Sequence, residues 1–148
     1  MDPGAGASGP VVVGVDGSKA SLNALAHGIR EAEWRGVALH ALNVLDVTPA
    51  VLHLEDDQTI TTTELAESDR QEIWRRARPL LERSSAPVVI VERDGDPGDV
   101  LCTYGREIEA SLIVVGPRGR GRLAEALLGS TADKVIEHSD RDVLVVRS

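Results

Sequence analysis

The chain has 148 residues, 42% hydrophobic but only 2% aromatic with no Phe, so one domain with an aliphatic core is expected. Sixteen basic residues against 24 acidic ones give a net charge of −8, which repels nucleic acid and anionic membranes and excludes both as expected partners. The single cysteine, Cys102, excludes an intramolecular disulfide and fits a reducing compartment.

Met1 to Gly9 is a Gly/Ala/Ser tail with nothing to bury, expected to be disordered, ahead of a single domain over residues 10–148. It has neither the basic nor the apolar region of an export signal, and no later apolar run reaches membrane-spanning length, so a cytoplasmic protein is expected. Val11–Val15 is a continuous apolar run, the pattern of a strand buried on both faces. Ser18 then caps a helix whose Leu22, Leu25, Ala26 and Ile29 form one stripe, ending near Gly36. Val37–Val44 reads as the second strand. Asp46 to about Thr63 is acidic, Thr-rich and aperiodic, the signature of a mobile loop, and Ile73, Ala77, Leu80 and Leu81 mark a second helix that stops before Pro87.

Val88–Val91 reads as the third strand. Asp96 caps the third helix with Pro97 at its first position, where the missing N–H costs nothing. Its inner stripe holds Val100 or Leu101, then Tyr104 and Ile108. Leu112–Val115 is the fourth strand, Ser130 to about His138 the fourth helix with Ala132, Val135 and Ile136 inward, and Val143–Arg147 the fifth strand. Strands alternating with helices, each strand an apolar run, predict an α/β domain with an open parallel sheet and helices on both faces.

The chemistry concentrates behind the fourth strand. Gly116-Pro117-Arg118-Gly119, nine residues, then Gly129-Ser130 is a small-residue loop leading to a helix start. Glycines let backbone N–H groups approach an oxyanion, and a helix N-terminus presents unpaired donors with partial positive charge. Arg118, Arg120 and Arg122 lie in that loop with no acid before Glu125, which points to a phosphate-bearing ligand in an otherwise acidic chain. The alternative is local: Gly129 breaks the chain and Ser130 caps the last helix, with Asp133 completing a capping box. Asp16, after the first strand, either meets the ligand or closes an Asx turn with Gly17.

Other chemistries fit less well. Gly4–Gly9 spells G-x-G-x-x-G but precedes its strand, and the G-x-G-x-x-A at Gly119–Ala124 has no second mononucleotide half after it. No G-x-x-x-x-G-K-[ST] loop occurs, and His27, His40, His53 and His138 lack ligand spacing.

The spacing G-x-x-G, nine residues, G-S resembles the nucleotide-binding signature of the universal stress protein family. Val11–Ser18, Leu42-Asn43-Val44, Asp94–Pro97 and Val143–Arg147 resemble that family's first strand and turn, second strand, turn before the third helix and closing strand, in order over residues 10–148. The resemblance implies a Rossmann-like five-stranded sheet of order 3-2-1-4-5. It implies an adenine nucleotide, ATP with Mg²⁺ carried along, held by Gly14, Val15, Asp16, Val44, Val115, Gly116, Arg118, Gly119, Gly129, Ser130 and Thr131. Asp16 would bind the ribose and Val44 would bound the adenine. It also implies a homodimer through residues 143–147. The expected role is a nucleotide-responsive regulator read by another protein. Slow ATP hydrolysis or phosphotransfer is one rival, since Asp16 is the nearest candidate base; a nucleotide-free interaction domain is the other. Pro117 and Ala132 depart from the family pattern, removing one loop N–H and one hydroxyl.

Overall fold

The computed structural model describes residues 8–46, 51–53, 59–118 and 128–147. Its elements in chain order are β1 (Val11–Gly14), α1 (Lys19–Arg35), β2 (Leu39–Leu45), β3 (Val51–His53), β4 (Thr59–Thr61), α2 (Thr62–Glu82), β5 (Val88–Asp94), α3 (Pro97–Glu107), β6 (Leu112–Val115), α4 (Ser130–His138) and β7 (Val143–Val145). Five strands form one parallel sheet in the order β5-β2-β1-β6-β7, which is the expected 3-2-1-4-5.

Alternation along β1 divides the core into two layers. Val11, Val13 and Val15 pack with Leu25 and Ile29 of α1 and Ile73 and Ala77 of α2. Val12 faces the other way, joining Leu101 and Tyr104 of α3 and Ala132 and Val135 of α4. Two helices therefore cover each face, and β1 is buried on both.

Local chemistry explains the helix ends. Ser18 Oγ accepts from Ser21 N–H at 3.1 Å at the start of α1, and Gly36 closes its end at φ +66. Asp96 accepts from Asp99 N–H at 3.0 Å before Pro97 of α3, and Lys134 of α4 reaches the same carboxylate at 2.9 Å. That ion pair pushes the Asp96 pKa down and the Lys134 pKa up, tying the starts of two helices together.

Several expectations are corrected. The segment read as a loop over Asp46–Thr63 contains an antiparallel pair, Val51–His53 with Thr59–Thr61, and α2 starts at Thr62. Two three-residue runs are too short to show a period, though Val, Ile and Thr are strand formers. The α1 seam runs through Ala24, Leu25, Gly28, Ile29 and Ala32, with Leu22 and Ala26 only half-buried. Small residues at i, i+4 and i+8 let the helix lie close: a Cβ at Gly28 would come within 2.2 Å of Val13 Cγ2. Ile136 is exposed, because the short α4 buries only Ala132 and Val135. On the outer strand β5, Val89 and Ile90 are exposed. Gly9, assigned to the tail, packs against the Glu109 carbonyl.

His40 of β2 sits beside Tyr104 of α3, Nδ1 to the hydroxyl at 2.6 Å, with the Arg93 guanidinium 5.5 Å from the Tyr104 ring centre. Burial pushes the His40 pKa below its ordinary 6.5. The folded state therefore takes up its proton at lower pH than the unfolded chain does. This contribution is complete above the unfolded value and is lost as pH falls below it. Gln at 40 retains an acceptor without titrating. Urea unfolding at pH 7.5, 6 and 5 should show wild type losing more stability than His40→Gln; parallel profiles would count against the assignment.

Candidate functional site

The order of the sheet reverses between β1 and β6, and the strand ends there open into a cavity of about 230 Å³. In open α/β sheets this is where ligands lie. One wall is apolar: Leu42 and Val44 of β2, Pro97 and Leu101 of α3, and Val115. The other is polar and backbone-rich: Val15-Asp16 after β1, Gly116 and Arg118 after β6, and Gly129-Ser130-Thr131 at the start of α4. Gly14, Val15, Asp16, Val44, Val115, Gly116, Arg118, Gly129, Ser130 and Thr131 thus line one crevice. Gly119 lies outside the described residues, as do Arg120 and Arg122.

Asp16 is held by a compact turn. Its Oδ1 accepts from Ser18 N–H at 2.8 Å, and its own N–H donates to Ser21 Oγ at 3.2 Å, while Ser21 Oγ donates to the Ser18 carbonyl at 3.1 Å. Gly17 adopts φ +83, and Arg76 of α2 donates to its carbonyl at 3.3 Å. The two readings of Asp16 are therefore compatible. One carboxylate oxygen closes the Asx turn while the residue still borders the crevice.

The start of α4 corrects the sequence expectation. Gly129, not Ser130, is the N-cap, in an extended conformation (φ −77, ψ 167), and it brings no side chain to the first-turn amides. Ser130 is the first helical residue instead. The Gly129 N–H donates to the Pro117 carbonyl at 2.6 Å, so the loop after β6 is pinched shut at its base. The proline that withholds an N–H supplies the acceptor that orients the helix start. Glycines also permit close packing behind the site: a Cβ at Gly116 would approach the Ala20 backbone to 3.0 Å, and one at Gly14 would meet Leu101 Cδ1 at 3.2 Å.

Five lining residues were absent from the expected set: Ser21, Leu42, Pro97, Leu101 and Ala132. Pro97 and Leu101 are four residues apart on the first turns of α3, a spacing that puts both on one face. Asn43, which its sequence context marks only as a strand residue, is fully buried; its Nδ2 donates to the Val15 carbonyl at 2.8 Å and its Oδ1 accepts from Arg70 Nε at 2.9 Å. Cys102 is half-buried and its thiol pKa is pushed up, mainly by burial, which suits packing over nucleophilic chemistry. Among the described residues no helix is long and apolar enough to cross a membrane.

Residues 8–147 match the sequence pattern of the Universal stress protein family. A universal stress protein of Methanocaldococcus jannaschii is 30% identical over 137 residues, covering 93% of this chain and 81% of its own length. One from Mycobacterium tuberculosis is 37% identical over 143 residues, 93% of this chain but only 45% of that protein, so the chain spans about half of the mycobacterial relative. Among solved structures, a universal stress protein in complex with cAMP superposes with a TM-score of 0.71 at 27% identity, covering 95% of this chain and 98% of that one.

An uncapped helix start has a direct test. Gly129→Asp suits the observed backbone and supplies both a side-chain acceptor and a negative charge to the first turn, raising stability by roughly 0.5–1 kcal/mol. The same carboxylate would occupy the amides an oxyanion needs. Thermal unfolding should shift upward while tripolyphosphate binding, followed by calorimetry, is lost; a variant that gains stability and binds the anion unchanged would refute the assignment.

Proposed function

The chain belongs to the universal stress protein family, and we propose that it binds ATP in the strand-end crevice and acts as a homodimeric, nucleotide-responsive regulator. The observation that carries this reading is the juxtaposition of an apolar slot, a carboxylate turn and an uncapped helix start in one cavity. The adenine ring lies in the slot between Val44 and Leu101, the ribose meets Asp16, and the phosphates meet the amides of Gly129–Thr131 with Arg118 and Gly116 alongside. The similar protein bound to cAMP supports an adenine nucleotide as the ligand class.

Magnitudes favour the base as the main anchor. A helix start contributes about 0.3–1 kcal/mol per charge, up to ~2. Micromolar affinity needs about −8.2 kcal/mol. Burial of the adenine against Leu42, Val44, Pro97 and Leu101 must supply much of the difference. Mg²⁺ would arrive with the phosphates and screen their charge. Asp16, with one oxygen committed to its turn, is a poor general base, which favours binding over hydrolysis. A reducing, cytoplasmic setting suits the lone thiol of Cys102.

Assembly follows from the sheet edge. Among the described residues strand β7 pairs with β6 alone, and its Val143, Leu144 and Val145 are only half-buried. An isologous contact through residues 143–147 would cover that edge and could not propagate. Each nucleotide site would then face away from the interface, available to a protein that reads its occupancy.

Two measurements test the proposal. Calorimetry should give binding in the order ATP, then ADP, then AMP, with Asp16→Ala weaker by roughly 0.5–1.5 kcal/mol, the range of one hydrogen bond. No heat from any of the three at millimolar concentration would sink it, and rapid ATP turnover would move the protein to the enzyme class. Sedimentation at tens of micromolar should show a dimer that Val145→Pro disrupts by removing a ladder donor. A wild-type monomer would refute the interface.

A further inference from the structure

The β1–β2 ladder stops one rung short of the crevice. Even-numbered positions of β2 bond to β1, as in Val15 N–H to Leu42 C=O at 2.9 Å; odd-numbered ones bond to β5, as in Leu39 N–H to Pro87 C=O at 2.8 Å. The next rung of a parallel ladder would run from Val44 N–H to Val15 C=O. Pairing instead ends at Gly14 with Leu42, and the Val15 carbonyl accepts from the side chain of Asn43. A side-chain amide has taken the place of a backbone donor. Val44 lines the crevice, and its even position puts its N–H on the β1 side of β2, one place beyond the last rung of the ladder.

Arg70 of α2 determines which way that amide points. Its Nε donates to Asn43 Oδ1 at 2.9 Å, its Nη1 pairs with Asp94 Oδ1 at 3.0 Å, and its Nη2 donates to the Arg93 carbonyl. Arginine has donors only, so Asn43 must turn its oxygen to Arg70 and its NH₂ to Val15. Only 16% of the Arg70 side chain is exposed, and the Asn43 side chain is fully enclosed, so few alternatives are open to either group.

We propose that Asn43 and Arg70 are positioning residues for the base end of the crevice: together they hold the Val15 carbonyl, so that the Val44 N–H is withheld from the sheet and offered to a nucleobase edge. This rests on the nucleotide-binding reading above. It also makes α2 and the end of β5 part of the site's support, although no described residue of either lines the cavity. A base would read the Val44 amide, and base-free phosphates would be indifferent to it.

The test combines amide exchange with binding. In the ligand-free wild type, the Val44 amide should exchange about a hundredfold faster than that of Leu42, its neighbour in the same strand. Asn43→Asp keeps the acceptor for Arg70 and loses only the donor to Val15. The vacated carbonyl should then recruit Val44, whose exchange slows while ATP affinity falls about tenfold and tripolyphosphate affinity stays unchanged. Arg70→Met should do the same and Arg70→Lys should restore most of the affinity; this series carries the test if Asn43→Asp fails to fold. A wild-type Val44 amide as protected as Leu42 overturns the proposal. So does wild-type ATP affinity in both Asn43→Asp and Arg70→Met, or an equal loss of ATP and tripolyphosphate. Wild type that binds no adenine nucleotide sinks the proposed function instead, and the exchange measurement then decides the positioning claim by itself.

Discussion

Right-handed crossovers are the constraint on which this molecule depends. A strand, a helix and the next parallel strand can be joined in essentially one hand, so the direction in which the chain moves across the sheet decides which face its helix covers. From β1 the chain steps outward to β2 and then β5; from β6 it steps the other way to β7. The loops after β1 and β6 leave toward opposite faces, α1 on one and α4 on the other. Between them the strand ends line the cavity. The crevice is a by-product of chain handedness, and the residues at its rim inherit a site that topology has already opened.

Net charge and local field point in opposite directions here. A chain of −8 should discourage phosphate, yet charges farther off than about 8–10 Å are largely screened at physiological ionic strength. Within that radius the helix start, with its outward amides, sets the field. Three nearby acids are engaged: Asp96 and Asp99 are paired with Lys134, and Asp16 has one oxygen in its turn. The net charge is thus a weak guide to this cavity, where the backbone at the helix start sets the local field.

Much of the frame was legible because it rests on local chemistry. The apolar runs of β1 and β6, the caps at Ser18 and Asp96-Pro97, and the glycine stop at Gly36 each announce themselves within a few residues. Most of the crevice was legible for a similar reason: ligand-facing positions in this architecture are strand ends and helix starts, which punctuation marks. What escaped depends on partners distant in sequence. The seam of α1 is set by Gly28 meeting Val13, so size and not hydrophobicity chose the inner face. Gly129 displaced Ser130 as cap because the Pro117 carbonyl captures its N–H. Asn43 and Arg70 are 27 positions apart, and neither has meaning without the other.

The bond between Pro117 and Gly129 also makes the run of residues 118–128 a graft point. Its two ends are joined at a fixed separation by the protein's own backbone, so the sheet and α4 do not register how many residues pass between them. For such a closed stem the entropic cost of length grows only logarithmically, roughly 0.6 kcal/mol for each doubling. Descendants of this chain can therefore lengthen, shorten or rewrite the stretch between Arg118 and Leu128 while the frame on either side of it stays the same. Sequence diversity can accumulate there, in a place where the fold itself is nearly blind to it.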